Sequence, residues 1–282
     1  MAKKILKTLV NNLGFKILAV VLAFILWLVV YNIDDPKKSK TFTTNVTVEN
    51  ASAVTDMNKC YEVLDGTNTV QSGTNHAGVE KNSTGTLTIK DEKNNKGSLT
   101  ATGGDRGAGI GGGNDGSGSH ITISGGEVTA KGGRWAAGIG GGNNDNTVSN
   151  IGKGEHITIK DGTVTAAGGD GAAGIGGGFA GAGSDITVSG GNVTATGGKD
   201  GGAGIGSGYN AGGDSATNIK IEGGDVTAKG GENGAGIGGG YNSSANNIEV
   251  SKGTVQATGG NNGADIGGGG DGGFGEHITV SG

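Results

Sequence analysis

Five side chains that could bind a ligand recur at one place in a repeating pattern. Asn114, Asn143, Phe179, Tyr209 and Tyr241 each stand four residues after a glycine-flanked isoleucine, and Gly270 closes the series. Phe179, Tyr209 and Tyr241 are consecutive in it, so stacked repeats would align them as an aromatic ladder. Such rings either form a platform for sugar rings or pack on one another and on their own corner, and both readings stand. A second series, His120, His156, Asp185, Asn218, Asn247 and His277, stands directly before six apolar triplets of the ITI type. Neighbouring histidines suit a metal such as zinc. However, His, Asp and Asn are also the non-glycine types enriched in left-handed backbone. A left-handed corner explains every member of this series, where a metal explains only His120 and His156, so no metal is expected. Glycoside hydrolysis needs paired carboxylates across the scissile bond. Asp105, Asp170 and Asp200 fall in turns of different repeats with no strand-borne partner, and no Ser–His–Asp or Cys–His set is apparent. The reading is therefore non-catalytic and without a cofactor, and a polysaccharide lyase or hydrolase is the enzymatic alternative set aside.

The elements that must position these residues are short and glycine-rich. GAGIGGG (Gly107–Gly113) returns in six versions, around Ile110, Ile139, Ile175, Ile205, Ile237 and Ile266. A phosphate-cradling glycine loop needs a strand before it and a helix after it, and no helical pattern follows any copy. Two further patterns cycle with it. ITI-like triplets begin at Leu87, Ile121, Ile157, Ile186, Ile219, Ile248 and Ile278, and VTA-like triplets at Leu99, Val128, Val164, Val193, Val226 and Val255. Apolar residues at period 2 make each a short strand with one buried face. Seven residues separate ITI from VTA in every repeat but the first, where Leu87 to Leu99 is 12; VTA to the key isoleucine is 11, with a single 12. From that isoleucine to the next ITI the spacing varies between 11 and 18, so insertions collect at one corner. The smallest whole repeat is the interval from Ile110 to Ile139. Three strands and three corners in that length predict one coil of a parallel β-helix. The fold expected is all-β: a right-handed, three-strand-per-coil parallel β-helix of about seven coils, preceded by one N-terminal transmembrane helix. Glycine is expected to supply positive φ at the corners. Trp135 reads as a solitary surface residue.

Composition divides the chain. Of 67 glycines, Gly14 alone lies before Gly66. Residues 1–60 carry eight basic and four acidic residues, a net of +4, and the remainder 13 and 22, a net of −9, which together give the chain's −5. An acidic repeat region without a basic patch excludes nucleic acid as a partner. Collagen is excluded by a single proline and the lack of a three-residue period. Leu13–Tyr31 is a long apolar run with one charge, Lys16, close in length to the roughly 20 residues that span a bilayer. Lysines precede it, Asp34 and Asp35 follow it, and Trp27 and Tyr31 mark the far interface, so the N-terminus is expected in the cytoplasm and the repeats outside the cell membrane. A cleaved signal peptide would need a small-residue site, which VVYNIDDP lacks.

Asn11 to Asn50, NNLGFKILAVVLAFILWLVVYNIDDPKKSKTFTTNVTVEN, resembles the start of YbbR-domain proteins of Gram-positive bacteria, with their NN-L-G-F-K-I-L run into a membrane helix, the D-P motif, K-T-F and an alternating strand. Cys60–Val70, CYEVLDGTNTV, is similar to the later part of a first YbbR repeat, after which the resemblance stops. It implies a regulator that contacts a membrane diadenylate cyclase. The repeats more loosely resemble glycine-rich β-helical surface proteins of Firmicutes, some classed as carbohydrate-binding, which implies a polysaccharide ligand. The organisation expected is an anchor at 1–33, a partial YbbR-like segment at 34–70 and a glycine-rich β-helix at 71–282, acting as a surface binding or spacer module. The ligand-binding candidates are Phe179, Tyr209, Tyr241, Asn114 and Asn143. The sequence stops at HITVSG, after the first strand of a coil, and the expectation is a fragment or end-to-end association through Ile278 and Val280.

Overall fold

The computed structural model describes residues 59–91, 96–144 and 152–281. Among these, no helix is long and apolar enough to cross a membrane, and the expected anchor at 13–31 lies outside the described residues. The chain winds through seven coils. Coil 1 is Lys59–Val63, Thr67–Gln71 and Val79–Glu80; coil 2 is Thr86–Lys90, Ser98–Thr102 and Ile110–Gly111. Coil 3 is Gly118–Lys131 and Ile139–Gly140; coil 4 is Gly154–Ala167 and Ile175–Gly176. Coil 5 is Gly183–Val188, Asn192–Thr196 and Ile205–Gly206; coil 6 is Gly212–Lys229 and Ile237–Gly238; coil 7 is Ser243–Thr258 and Ile266–Gly267. Gly275–Val280 then stacks on coil 7. All pairing is parallel, coil on coil, as in Ile110↔Ile139, Ile139↔Ile175 and Ile175↔Ile205.

Like residues stack on like because each coil repeats the same period-2 pattern. Ile121, Ile157, Ile186 and Ile219 form one inward column, Val128, Val164, Val193 and Val226 another, and Ile110, Ile139, Ile175, Ile205 and Ile237 a third. All are buried in one continuous core. Complete burial of such a side chain stabilises by about 1.5–3 kcal/mol. The intervening threonines of ITI and VTA point outward, as the alternating burial of Thr163–Ala167 shows.

The three expected strands per coil form two sheets. The ITI and VTA ladders share one 11-stranded sheet, and the isoleucine–glycine pairs form a separate seven-stranded one. In coils 3, 4, 6 and 7 a single strand runs through both ITI and VTA. It bends at a glycine with positive φ, such as Gly162 at 100° or Gly224 at 88°. Register irregularities fall at this bend, between Ile123 and Glu127 and between Ile221 and Asp225.

Elsewhere the role expected of glycine is only partly correct. The glycine pairs after VTA do not hold positive φ; they are places where coils touch backbone to backbone. A Cβ on Gly133 would lie 1.8 Å from the carbonyl oxygen of Gly104, which no side chain can tolerate. The third strand of each coil sits in a pinched loop: the Ala137 N–H donates to the Gly141 carbonyl at 2.9 Å and the Ala173 N–H to Gly177 at 2.9 Å, leaving the isoleucine at the tip.

Among the described residues, left-handed backbone outside glycine falls in three columns. Asn75, Arg106 and Trp135 hold it after VTA; Asp115, Ala180, Asn210, Asn242 and Asp271 after the glycine run; His120, His156, Asp185, Asn218, Asn247 and His277 before ITI. The third column is the series expected from the sequence, with φ between 51° and 58° throughout.

The described ladders start earlier than residue 71. Lys59–Val63 pairs with Thr86–Lys90 in coil 2, setting Cys60 on Leu87, and Thr67–Gln71 pairs with Ser98–Thr102, setting Val70 on Ala101. The stretch Cys60–Val70 is thus part of coil 1.

Candidate functional site

Two corners of each coil meet along one edge. The N–H of Phe179 donates to the carbonyl of Trp135 at 2.8 Å, that of Tyr209 to Gly171 at 2.6 Å and that of Tyr241 to Gly201 at 2.7 Å. The corner after VTA is thereby zipped to the corner after the glycine run, and their side chains share space. Where a tyrosine stands, the facing corner is glycine. A Cβ beyond Gly201 would meet the Tyr241 Cβ at 2.8 Å, and Gly171 lies under Phe179 and Tyr209. Where the facing corner carries Asn233 and Asn262, the aromatic position is Gly270, with no room for a side chain.

The sequence-expected ladder is present. Phe179 and Tyr209 stack with centroids 5.3 Å apart and planes 9° apart, Tyr209 and Tyr241 at 4.6 Å and 18°. Their faces cover one another, so they offer edges and hydroxyls to a ligand. The Tyr241 hydroxyl donates to the Asp271 carboxylate, which holds the phenol above its ordinary range. Asn114 and Asn143 pair with each other: the Asn143 amide donates to Asn114 Oδ1 at 3.3 Å, and Asn143 is 1% exposed. It braces the corner and presents no surface.

Trp135 is not solitary. Its ring sits 6.2 Å from Phe179, tilted by 50°, and so extends the ladder. The Arg134 guanidinium lies over it at 4.2 Å and that of Arg106, from the preceding coil, at 5.6 Å. Both distances are within cation–π range. Arg106 and Trp135 hold φ of 70° and 65°, a conformation that costs an ordinary residue about 1–2 kcal/mol. The sequence held a signal for this cluster: the whole chain has two arginines, at equivalent corners of adjacent coils, as DRG and GRW.

The remaining columns also close on themselves. His120 and His156 stack at 4.7 Å and 3°. His156 Nε2 is 3.7 Å from Asp185, the Asn218 amide donates to Asp185 at 3.0 Å, and the Asn247 amide to Asn218 at 2.7 Å. Beside Trp135 the column alternates in charge, with Asp170 4.0 Å from Arg134 and 3.4 Å from Lys199. No group of three or more His, Cys, Asp and Glu side chains that could hold a metal occurs among the described residues.

Coils in register, corners turned by left-handed residues and self-pairing columns define a parallel β-helix. A family model described as a β-helix repeat matches residues 94–114, 121–143, 157–179, 186–209 and 219–241, and the chain is a β-helix repeat protein. Each segment after the first starts at the ITI isoleucine and stops four residues past the key isoleucine, so the corner of variable length falls between segments. No curated protein and no solved structure matches the chain.

Proposed function

We propose that the chain is a membrane-anchored, extracytoplasmic, non-catalytic β-helix that acts as a spacer and binding module at the bacterial cell surface. The observation that carries this reading is the self-closure of the corner columns. Rings lie on rings, asparagine amides on asparagine oxygens and acids beside bases, through successive coils. Side chains committed to their own neighbours suit a stiff rod better than a reaction centre. The lysine-flanked apolar stretch Leu13–Tyr31 supplies the anchor and its orientation, and a polysaccharide is the ligand class for the outer surface. A regulatory role toward a diadenylate cyclase rests on Asn11–Asn50 alone, because Cys60–Val70 is used in coil 1. Protease added to intact protoplasts should remove the repeats and leave a small membrane-bound fragment. Repeats that stay protected until the membrane is opened would overturn the orientation and the surface role with it.

A further inference from the structure

Among the described residues, the cluster around Trp135 stands out from the other corners of the solenoid. Its column holds Asn75, Gly171 and Gly201 in neighbouring coils, types that are at ease with positive φ. Coils 2 and 3 instead place Arg106 and Trp135 there, at φ 70° and 65°. Folding alone favours asparagine or glycine, and costly backbone of this kind gathers at functional sites. Composition points the same way. The chain uses 19 lysines and two arginines, and both arginines lie over the described tryptophan, at 4.2 and 5.6 Å. A planar guanidinium differs from an ammonium in stacking on aromatic faces and in gripping a carboxylate or phosphate through two parallel N–H bonds.

We propose that Arg106, Trp135 and Arg134 form a binding site for an anionic sugar unit, whose carboxylate or phosphate meets the guanidinium groups stacked over Trp135 while its apolar part lies against the edges of Trp135 and Phe179. The proposal rests on the surface-binding reading above and names its ligand class. The Arg134 side chain supports it, being 59% exposed. Asp170 is 4.0 Å from Arg134 but 3.4 Å from Lys199, so Lys199 offsets that acid. Asn143, at the described start of the corner that is longest in sequence, donates its N–H to the Arg106 carbonyl at 3.0 Å, and insertions on one edge of a solenoid accompany its binding face.

The test is affinity electrophoresis of the full chain in mild detergent, through gels containing a polyuronate, a glycerol-phosphate polymer or neutral dextran. Retardation is expected in an anionic gel and not in dextran, and the gel that retards identifies the carboxylate or the phosphate as the recognised group. Trp135→Asn and Arg106→Asn should each weaken binding at least tenfold. Their thermal midpoints should equal or exceed that of the parent, because asparagine suits this backbone; a binding loss from unfolding would appear as a lowered midpoint, and Arg134→Lys then decides, since its backbone is unaffected. Arg134→Lys keeps the charge and loses the plane, and should also bind at least tenfold more weakly. No retardation in either anionic gel, equal retardation in dextran, or undiminished binding by Arg134→Lys would overturn the site. Each of those results leaves the protoplast experiment free to succeed.

Discussion

Ala180 is the one residue in its left-handed column, at φ 53°, that is neither Asn nor Asp. In the two coils that follow, Asn210 and Asn242 hold the position and their amides bond at 2.7 Å. Ala180→Asn should therefore raise stability by about 1 kcal/mol, from relief of backbone strain and a bond to Asn210, measured as a higher urea midpoint. His120 gives a prediction with pH. Loss of hydration, then the charges of His156 and Lys81, hold its imidazole below the ordinary range. The folded chain thus takes up this proton at lower pH than the unfolded chain. Between those two pH values the unfolded chain binds more protons, so stability falls as pH drops through the window just below the ordinary imidazole value. In His120→Asn, which keeps a residue suited to left-handed backbone, the thermal midpoint should fall less between about pH 7.5 and pH 5. At this scale the sequence was most legible where residue chemistry and conformation agree, as in the six positions before ITI. Trp135 was misread because a bulky aromatic at positive φ runs against that preference, and its partners Arg106 and Phe179 come from other coils.

The strands were legible because an apolar period of two survives even in three residues, and the spacings of 7 and 11 repeat. Their grouping into two sheets was not, since a one-glycine bend and a true corner leave the same mark in a sequence. The role of the glycine runs was also hidden: it depends on the distance to the next coil, a dimension no single repeat contains. Two substitutions separate the kinds of glycine. Gly140 holds φ at 131° and its Cβ would lie 2.0 Å from the Gly176 carbonyl oxygen, whereas Gly272, at φ 92°, has nothing within 4 Å. Gly140→Ala should cost about 3 kcal/mol or more, because packed backbones must separate. Gly272→Ala should cost about 1 kcal/mol, from conformation alone. Urea unfolding of the two variants against the parent would show the difference as a gap between midpoints.

At the scale of the molecule, each coil contacts its immediate neighbours, so stability is a sum of coils and interfaces. A whole coil should then be removable where its ends are equivalent. Gly154 pairs with Gly183, its counterpart one coil further on. Deleting residues 154–182 joins Lys153 to Gly183 and leaves every inward column in phase. The shortened chain should retain its β-sheet circular dichroism and a cooperative melt; a deletion that stops a third of a coil short should abolish both, because the inward residues lose their alignment. That the described ladders reach back to Lys59, before residue 71, was hard to read, since Cys60–Val70 is a pair of short alternating strands that suits a YbbR repeat as well as coil 1.

The hydrogen bonds between coils, such as Ile139 to Gly174 at 3.0 Å and Ile175 to Gly204 at 3.0 Å, link each turn of the chain to the next like the teeth of a zip. Tension between the two ends would load the outermost turn first and tear the rod turn by turn. A turn of about 30 residues would release roughly 100 Å of slack at the extended-chain limit. The turns between the stacked isoleucines Ile110, Ile139, Ile175, Ile205, Ile237 and Ile266 are unequal in length, and the one from Ile139 to Ile175 is the longest. A single molecule pulled apart would thus write the spacing of its own isoleucines as a series of unequal force peaks, with the longest interval marking the turn that carries the insertion after Trp135.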